Sequence, residues 1–155
     1  MYLKIYSAIS IVLLLFLISC GGGDETKTPE KSAETGKAAT ETTNPLDNKG
    51  IGPIKQLTLE PAVNEIMAES GKKVYKEKCY SCHKETEKYI GPAPVGILER
   101  RSPEWIMNMI LNPEEMVQKD PIAKDLIRQF ASPMANQHLT EVEARSVLEY
   151  FRTLK

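Results

Sequence analysis

The chain has 155 residues, and its 20 Lys and Arg against 21 Asp and Glu give a formal net charge of −1 at pH 7. Charge this evenly balanced argues against nucleic acid as a partner. No segment after the N-terminal residues 1–19 is long and apolar enough to span a bilayer, so the chain is predicted to have no transmembrane helix.

The N-terminal segment, residues 1–19, has the pattern of a secretory signal peptide. It carries one cation, Lys4, followed by an apolar run from Ala8 to Ile18. That run of about 11 residues is too short to cross a bilayer, which needs about 20. It matches the apolar region of an export signal, and we therefore expect the signal to be removed.

The end of this segment, Leu17-Ile-Ser-Cys20 followed by three glycines, resembles the bacterial lipobox. In that motif the cysteine is diacylated and becomes the first residue of the mature protein. The alternative is an ordinary signal peptide that ends near a chance cysteine. We expect lipid on Cys20 to anchor the protein to a bacterial membrane, with the rest outside the cytoplasm and most simply in the periplasm.

A polar stretch follows the lipidated cysteine. Residues 21–50 contain only one large apolar residue, Leu46. Such a composition cannot bury a core, so we assign residues 20–56 to the lipidated cysteine and a disordered linker. A linker of about 35 residues has a root-mean-square reach of roughly 30–35 Å. One domain is then predicted over residues 57–155.

Residues 79–83, Cys-Tyr-Ser-Cys-His, form the C-x-x-C-H pattern for attachment of a c-type haem (heme c). Cys79 and Cys82 are spaced to add their thiols to the two vinyl groups of one porphyrin. His83 is then placed beneath the ring, where its imidazole can bind the iron. Haem attached in this way also implies export, in agreement with the N-terminal signal.

Two other chemistries use a C-x-x-C motif. A structural zinc site needs four ligands, but Cys20 and His138 are the only further cysteine and histidine. A thioredoxin-like dithiol needs strands alternating with helices around the motif. The flanking residues 71–78 and 84–88 are instead predicted to be helical and polar, which favours haem.

The domain is predicted to be all-helical, because capping signals and helical periodicity recur and no alternating strand pattern is found. A domain of about 100 residues has a small core, and a covalent apolar haem would enlarge it. The first two predicted helices are Gly71–Cys79 and one that is opened by Ser102-Pro103-Glu104 and ends at Leu111, before Asn112-Pro113. A third runs from Asp120-Pro121 to Phe130. The last begins at the capping box Thr140–Glu143, and its apolar positions are Val142, Ala144, Val147, Leu148 and Phe151.

The second axial ligand of the iron is predicted to be Met134. It lies in a loop between two predicted helices, where its sulfur can be aimed at a ring face, and Pro133 stiffens the approach. The other candidates remain open at this point: Met67, Met107, Met109, Met116 and His138. Met107 and Met109 are two apart on one helix, so at most one of them points inward.

These features resemble the class I (His/Met) monohaem cytochrome c family, in family order from about Gly71 to Tyr150. The matching positions are Gly71 and Tyr75 on the first helix, Val147 and Tyr150 on the last helix that crosses it, Gly91-Pro92 after the haem motif, and Pro133-Met134 before Leu139-Thr140. Many members have Met-Pro in the distal loop, whereas here the proline precedes the methionine.

The resemblance implies roles for further residues. Pro92 would accept a hydrogen bond from the His83 imidazole through its carbonyl, with Pro94 as the rival for this role. The segment from Arg100 to Pro113 resembles that of lipid-anchored monohaem cytochromes. Trp105 or one of the two arginines before it would then bind a haem propionate.

The function implied is one-electron transfer by iron that cycles between Fe(II) and Fe(III) with both axial ligands bound. We expect a monomeric redox protein rather than an enzyme, with unidentified redox proteins as donor and acceptor. One alternative is a haem-based sensor or peroxidase-like protein in which the distal methionine is displaced. Another is a fixed haem subunit of a larger oxidoreductase.

Overall fold

The computed structural model describes residues 44–155. The predicted signal peptide, Cys20 and the linker up to residue 43 lie outside the described residues. Between residues 44 and 155 there are helices and loops but no strand, and the predicted all-α fold is confirmed. The elements are α1 (Glu65–Lys78), a 3₁₀ turn (Ile97–Glu99), α2 (Pro103–Leu111), α3 (Pro113–Lys119), α4 (Pro121–Phe130) and α5 (Glu141–Thr153).

Most of the described helices begin at a residue whose side chain caps them. Ser102 accepts from the amide of Trp105 at α2, and Asp120 accepts from the amide of Ala123 at α4. At α5 the predicted capping box forms between Thr140 and Glu143. The helix α3 was not predicted, because Asn112-Pro113 was interpreted only as a stop signal. Proline is equally suited to the first turn of a helix, and here Pro113 starts one.

The segment after the haem motif, which was predicted to be helical, is a loop in the structure. Residues 84–88 form an irregular loop instead of a helix, with bends at residues 85–87. The chain turns back on itself here, since the amide of Gly91 donates to the carbonyl of Cys82 (2.9 Å) and the amide of Val95 donates to that of Glu85 (3.0 Å). These long-range bonds replace those of a helix and bring residues 91–92 back to His83.

Helices α1 and α5 cross in close contact, at the positions that the sequence indicates. A Cβ atom on Gly71 would lie 1.9 Å from the carbonyl oxygen of Ser146, so only glycine allows this approach. Tyr75 packs beside the crossing against Tyr150, with ring centroids 5.4 Å apart. Val142, predicted at an apolar position of α5, is 73% exposed because it lies in the first turn, beyond the crossing.

The assignment of residues 20–56 to a disordered linker is wrong for its last part. Residues 48–57, which we call the strap, follow an irregular course with several bends across α2 and α3. Buried side chains bind its backbone: Ser102 donates to the carbonyl of Asn48 (2.6 Å), and the amides of Ile51, Ile54 and Leu57 donate to Met116 (3.0 Å), Asn108 (2.9 Å) and Glu104 (3.1 Å). Composition missed the strap because these contacts use backbone groups, which every sequence carries.

The described helices are all short. None of those within residues 44–155 is long and apolar enough to cross a membrane. The core lies between α1, α2 and α5, and its largest fully buried side chains include Tyr75, Ile106, Met107 and Leu148. Beside this core the chain leaves an apolar cavity, which contains the predicted haem residues.

Candidate haem-binding site

The cavity has a volume of about 270 Å³ and a mainly apolar wall. Cys79, Cys82 and His83 line it from the end of α1, and Met134 lines it from the loop between α4 and α5. The structure therefore brings together in one cavity the four residues predicted from separate parts of the sequence. Much of the remaining wall comes from α2, α4 and α5, and includes Trp105, Ile106, Ala123 and Val147.

The ring of His83 is held by the loop that follows the motif. Its Nδ1 lies 2.8 Å from the carbonyl oxygen of Pro92. With the proton on Nδ1, this bond leaves the lone pair of Nε2 available for a metal. The rival, Pro94, accepts instead from the amide of Ile97 at 3.0 Å. A Cβ on Gly91 would lie 2.3 Å from Cε1 of His83, so the glycine backbone packs directly against the imidazole.

The backbone of His83 is also fixed on both sides. Its amide donates to the carbonyl of Cys79 at 2.9 Å, and its own carbonyl accepts from the Tyr75 hydroxyl at 2.5 Å. Burial, followed by the nearby Glu85 carboxylate, raises the pKa of Tyr75, so the phenol keeps its proton and remains a donor. Sequence analysis placed Tyr75 only at the helix crossing. The spacing of eight residues before the histidine was the available signal for this second contact.

The environment of the two cysteines bears on the alternatives. Cys79 is half-buried, and burial raises the pKa of its thiol to about 11. Redox-active C-x-x-C motifs have the opposite property, a lowered thiol pKa. For zinc, no group of three or more His, Cys, Asp or Glu side chains placed to hold a metal occurs within residues 44–155. Neither alternative gains support from the site.

The candidates for the distal ligand are separated by their positions. Met109 and Met134 line the cavity, whereas Met107 and Met116 are buried in the core, and Met67 and His138 lie away from the cavity lining. Met116 is further engaged by the strap, since its sulfur accepts from the amide of Ile51. His138 is exposed and has a positive φ of 54°.

The three residues predicted as candidates to bind a haem propionate differ in whether their hydrogen-bond donors are already engaged. The indole N–H of Trp105 donates to Asp120 at 3.1 Å. Arg100 binds the backbone carbonyls of Ala93 (2.7 Å) and Val95 (2.8 Å). Arg101 lines the cavity with its guanidinium over the Trp105 ring. Burial, and then the neighbouring Arg100, lowers the pKa of Arg101, and the Asp120 carboxylate offsets part of this effect.

This geometry fits a c-type haem. Two thiols spaced for the vinyl groups, an imidazole with a free Nε2 and a mainly apolar wall all converge on one cavity. The family model for cytochrome c matches residues 68–155, which is more than half of the chain.

The chain belongs to the cytochrome c family.

Solved cytochromes c have the same fold. Cytochrome c from Rhodothermus marinus is 37% identical and superposes with a TM-score of 0.65, covering 66% of this chain and 89% of that one. An engineered form of it bound to a carbene intermediate gives a TM-score of 0.62 at 37% identity, with the same coverage. The cytochrome c domain of the pp3183 protein from Pseudomonas putida is 27% identical with a TM-score of 0.50, covering 54% and 85%. No curated protein matches.

Membership of the cytochrome c family identifies the cofactor and the general activity of this chain. A class I monohaem cytochrome c binds one haem c covalently and transfers electrons through its iron. Cys79 and Cys82 would hold the porphyrin, His83 would bind the iron from one face, and the apolar wall would keep water away from the ring. The family model starts at residue 68, so it does not include the strap.

Proposed function

We propose that this cytochrome c is a lipid-anchored, one-electron carrier with His83 and Met134 as axial ligands. The observation that carries the proposal is that His83 and Met134 line the same apolar cavity, while four of the other five candidates do not. Met109, the fifth, is part of α2, where the helix backbone fixes its direction. Met134 lies on a loop between α4 and α5 and has more freedom to meet the iron.

The ligand pair accounts for the proposed activity. A thioether stabilises Fe(II) and therefore raises the reduction potential relative to two histidines. With both axial positions filled by the protein, the iron exchanges electrons without binding a substrate. We propose redox proteins as donor and acceptor, and a monomeric carrier that meets them in turn.

The test of the ligand compares the two methionines in the cavity. In the ferric protein, the weak Met–iron charge-transfer band should vanish in Met134→Ala and persist in Met109→Ala. Both variants should keep covalent haem, because the thioether bonds do not involve methionine. Loss of the band in Met109→Ala and its survival in Met134→Ala would overturn the assignment.

The anchor needs a separate test. Cys20→Ala should abolish lipidation and yield a soluble or unprocessed protein, whereas Gly21→Ala, which leaves the thiol in place, should remain in the membrane fraction. A processed Cys20→Ala protein that still sediments entirely with membranes would exclude the lipid anchor. Export itself would be tested by haem content, because haem attachment to this motif takes place outside the cytoplasm.

A second candidate function is a haem-based sensor or peroxidase-like protein with a displaceable Met134. It is favoured by the engineered Rhodothermus marinus cytochrome c, which holds a carbene intermediate. Ready binding of carbon monoxide by the ferrous wild-type protein would favour this candidate over the carrier. A fixed subunit of a larger oxidoreductase would be recognised by stoichiometric co-purification of its partner.

A further inference from the structure

Asp120 lies directly behind the wall of the haem cavity. Its side chain is 2% exposed and accepts three hydrogen bonds: from the indole N–H of Trp105 (3.1 Å), from the amide of Ala123 (2.8 Å) and from the side-chain amide of Asn48 (2.7 Å). Trp105 and Ala123 both line the cavity. The carboxylate is thus separated from the cavity by one layer of side chains.

Among the described residues, this carboxylate is surrounded by hydrogen-bond donors and a helix N-terminus but forms no direct ion pair. All three of its partners are hydrogen-bond donors. It also caps the N-terminus of α4, where the helix dipole favours a negative charge. Within residues 44–155 no salt bridge joins Asp120 to a cation. On the cavity side, the guanidinium of Arg101 lies over the Trp105 ring and interacts with Asp120 electrostatically, without a direct ion pair.

The strap seals this charge from solvent. Asn48, at the start of the strap, donates to Asp120 from the outer side, and its carbonyl is held by Ser102. A buried charge surrounded by protein acts over a longer distance than an exposed one, because water does not screen it. The strap therefore preserves the effect of the carboxylate on the cavity.

We infer that Asp120 lowers the reduction potential of the haem. When Fe(III) takes up one electron to become Fe(II), the cofactor gains one negative charge. A fixed carboxylate behind Trp105 and Ala123 repels that added charge and favours the ferric state. The axial sulfur and Asp120 thus act in opposite directions on the potential, and the strap is part of the second effect.

The test is a spectroelectrochemical titration of the holoprotein. At a fixed applied potential, Asp120→Asn should raise the ferrous-to-ferric ratio by about threefold or more. Asn is also a good N-cap, so α4 should remain intact. The matched control is Asp125→Asn, which makes the same charge change on the same helix at an exposed position and should have a clearly smaller effect.

A double variant separates charge from hydrogen bonding. In the double variant Asn48→Asp/Asp120→Asn, the new side-chain amide at position 120 can donate to the new carboxylate at position 48. That carboxylate can still accept from the backbone amide of Gly50, as the Asn48 side chain does now. Every hydrogen bond is kept and one carboxylate is restored. The ferrous-to-ferric ratio should fall back from the value of Asp120→Asn towards that of the wild type.

Several outcomes would overturn the inference. A ratio in Asp120→Asn no higher than in Asp125→Asn would show that the charge is not sensed at the haem. A double variant that stays at the value of Asp120→Asn would assign the shift to structural disturbance. If Asp120→Asn loses the Met–iron band, the same comparison in a Met134→Ala background decides, because all variants then share one ligand. Asp120→Ser, a capping residue without charge, replaces Asp120→Asn if the latter does not fold.

Discussion

The two sides of the haem cavity differ in how firmly they are held. On the proximal side, the amide, carbonyl and imidazole of His83 each make a hydrogen bond, and the backbone of Gly91 packs against the ring. Short contacts of several kinds leave this residue little freedom. The imidazole of His83, the proposed proximal ligand, is therefore preorganised by the fold.

The distal side is more loosely built. Within the described residues, the loop at 132–139 has no hydrogen bond between backbone groups. It is held by side chains, such as Asn136, which accepts from the amide of His138 (2.8 Å). Ala131 and His138, at its two ends, have positive φ values of 52° and 54°. Such angles cost non-glycine residues roughly 1–2 kcal/mol.

The difference indicates a division of roles. A firmly held His83 would keep the iron in one geometry, while a less constrained loop carries Met134, the proposed distal ligand. The loop is also where a displaceable ligand would be expected. Variants of each side can therefore show whether the asymmetry affects stability and spectrum as the contacts suggest.

The largest effect is expected from removing the covalent attachment. Replacing both Cys79 and Cys82 by Ala should eliminate covalently attached haem, which is the haem that stays on the protein during denaturing electrophoresis. It should also abolish cooperative unfolding, because the apolar cavity would be left without its cofactor. Cys82→Ala alone, which keeps one thioether, serves as the control. A haem-free double variant that still unfolds cooperatively, followed by circular dichroism, would contradict the prediction.

A smaller but local effect should follow from disturbing the proximal side. Gly91→Ala places a Cβ 2.3 Å from Cε1 of His83. We expect a loss of about 1–3 kcal/mol in the free energy of unfolding, together with a changed haem spectrum as the imidazole moves.

The control for this prediction is Gly96→Ala. Its new Cβ has no contact below 3.5 Å, but its φ is +62°. It should lose about 1 kcal/mol through backbone strain and keep the wild-type spectrum. Equal spectral changes in the two variants would mean that the Gly91 contact does not fix the histidine.

Relieving strain at the distal loop should have a smaller effect of opposite sign. Ala131→Gly removes the cost of the left-handed angle and should stabilise the protein by about 0.5–1 kcal/mol, measured by denaturant unfolding. Ala135→Gly, in the same loop but without a positive φ, should be neutral or destabilising, because it only frees the unfolded chain. Stabilisation by both changes would indicate that strain at Ala131 is not the cause.

The smallest expected effect is a pH dependence on the proximal side. A hydrogen bond from Lys76, and then one from the Tyr150 hydroxyl, lowers the pKa of Glu85 below its usual range. A lowered folded-state pKa stabilises the protein above the unfolded pKa of about 4.3, and this contribution is lost as the pH falls through the folded value. Glu85→Gln should therefore flatten the acid side of the stability curve.

The matched control is Glu87→Gln, an exposed glutamate in the same loop. The stability of this variant should depend on pH in the acid range in the same way as that of the wild type. The partly exposed ion pair at Glu85 is screened by water, so the difference between the two variants should remain modest. If both curves coincide between pH 3 and pH 5, the ion pair with Lys76 contributes nothing to folding.

Local patterns in the sequence predicted the haem motif, the caps at Ser102, Asp120 and Thr140, and the all-helical class. Each of these depends on residues within about four positions of one another, where spacing fixes the contact. The same local reasoning failed at residues 84–88, where helical composition was overruled by backbone bonds to Cys82 and Glu85. It also missed α3, because Pro113 can either end one helix or begin another.

The sequence by itself therefore determined the cofactor and the helical class, since both follow from short-range chemistry. Only the tertiary structure decided that residues 48–57 pack as a strap, that Pro92 rather than Pro94 faces the histidine, and that Trp105 is bound to Asp120 instead of being free for a propionate. These contacts join residues far apart in the chain. Their formation depends on which groups become buried together, and a buried polar group must find a partner wherever the fold provides one.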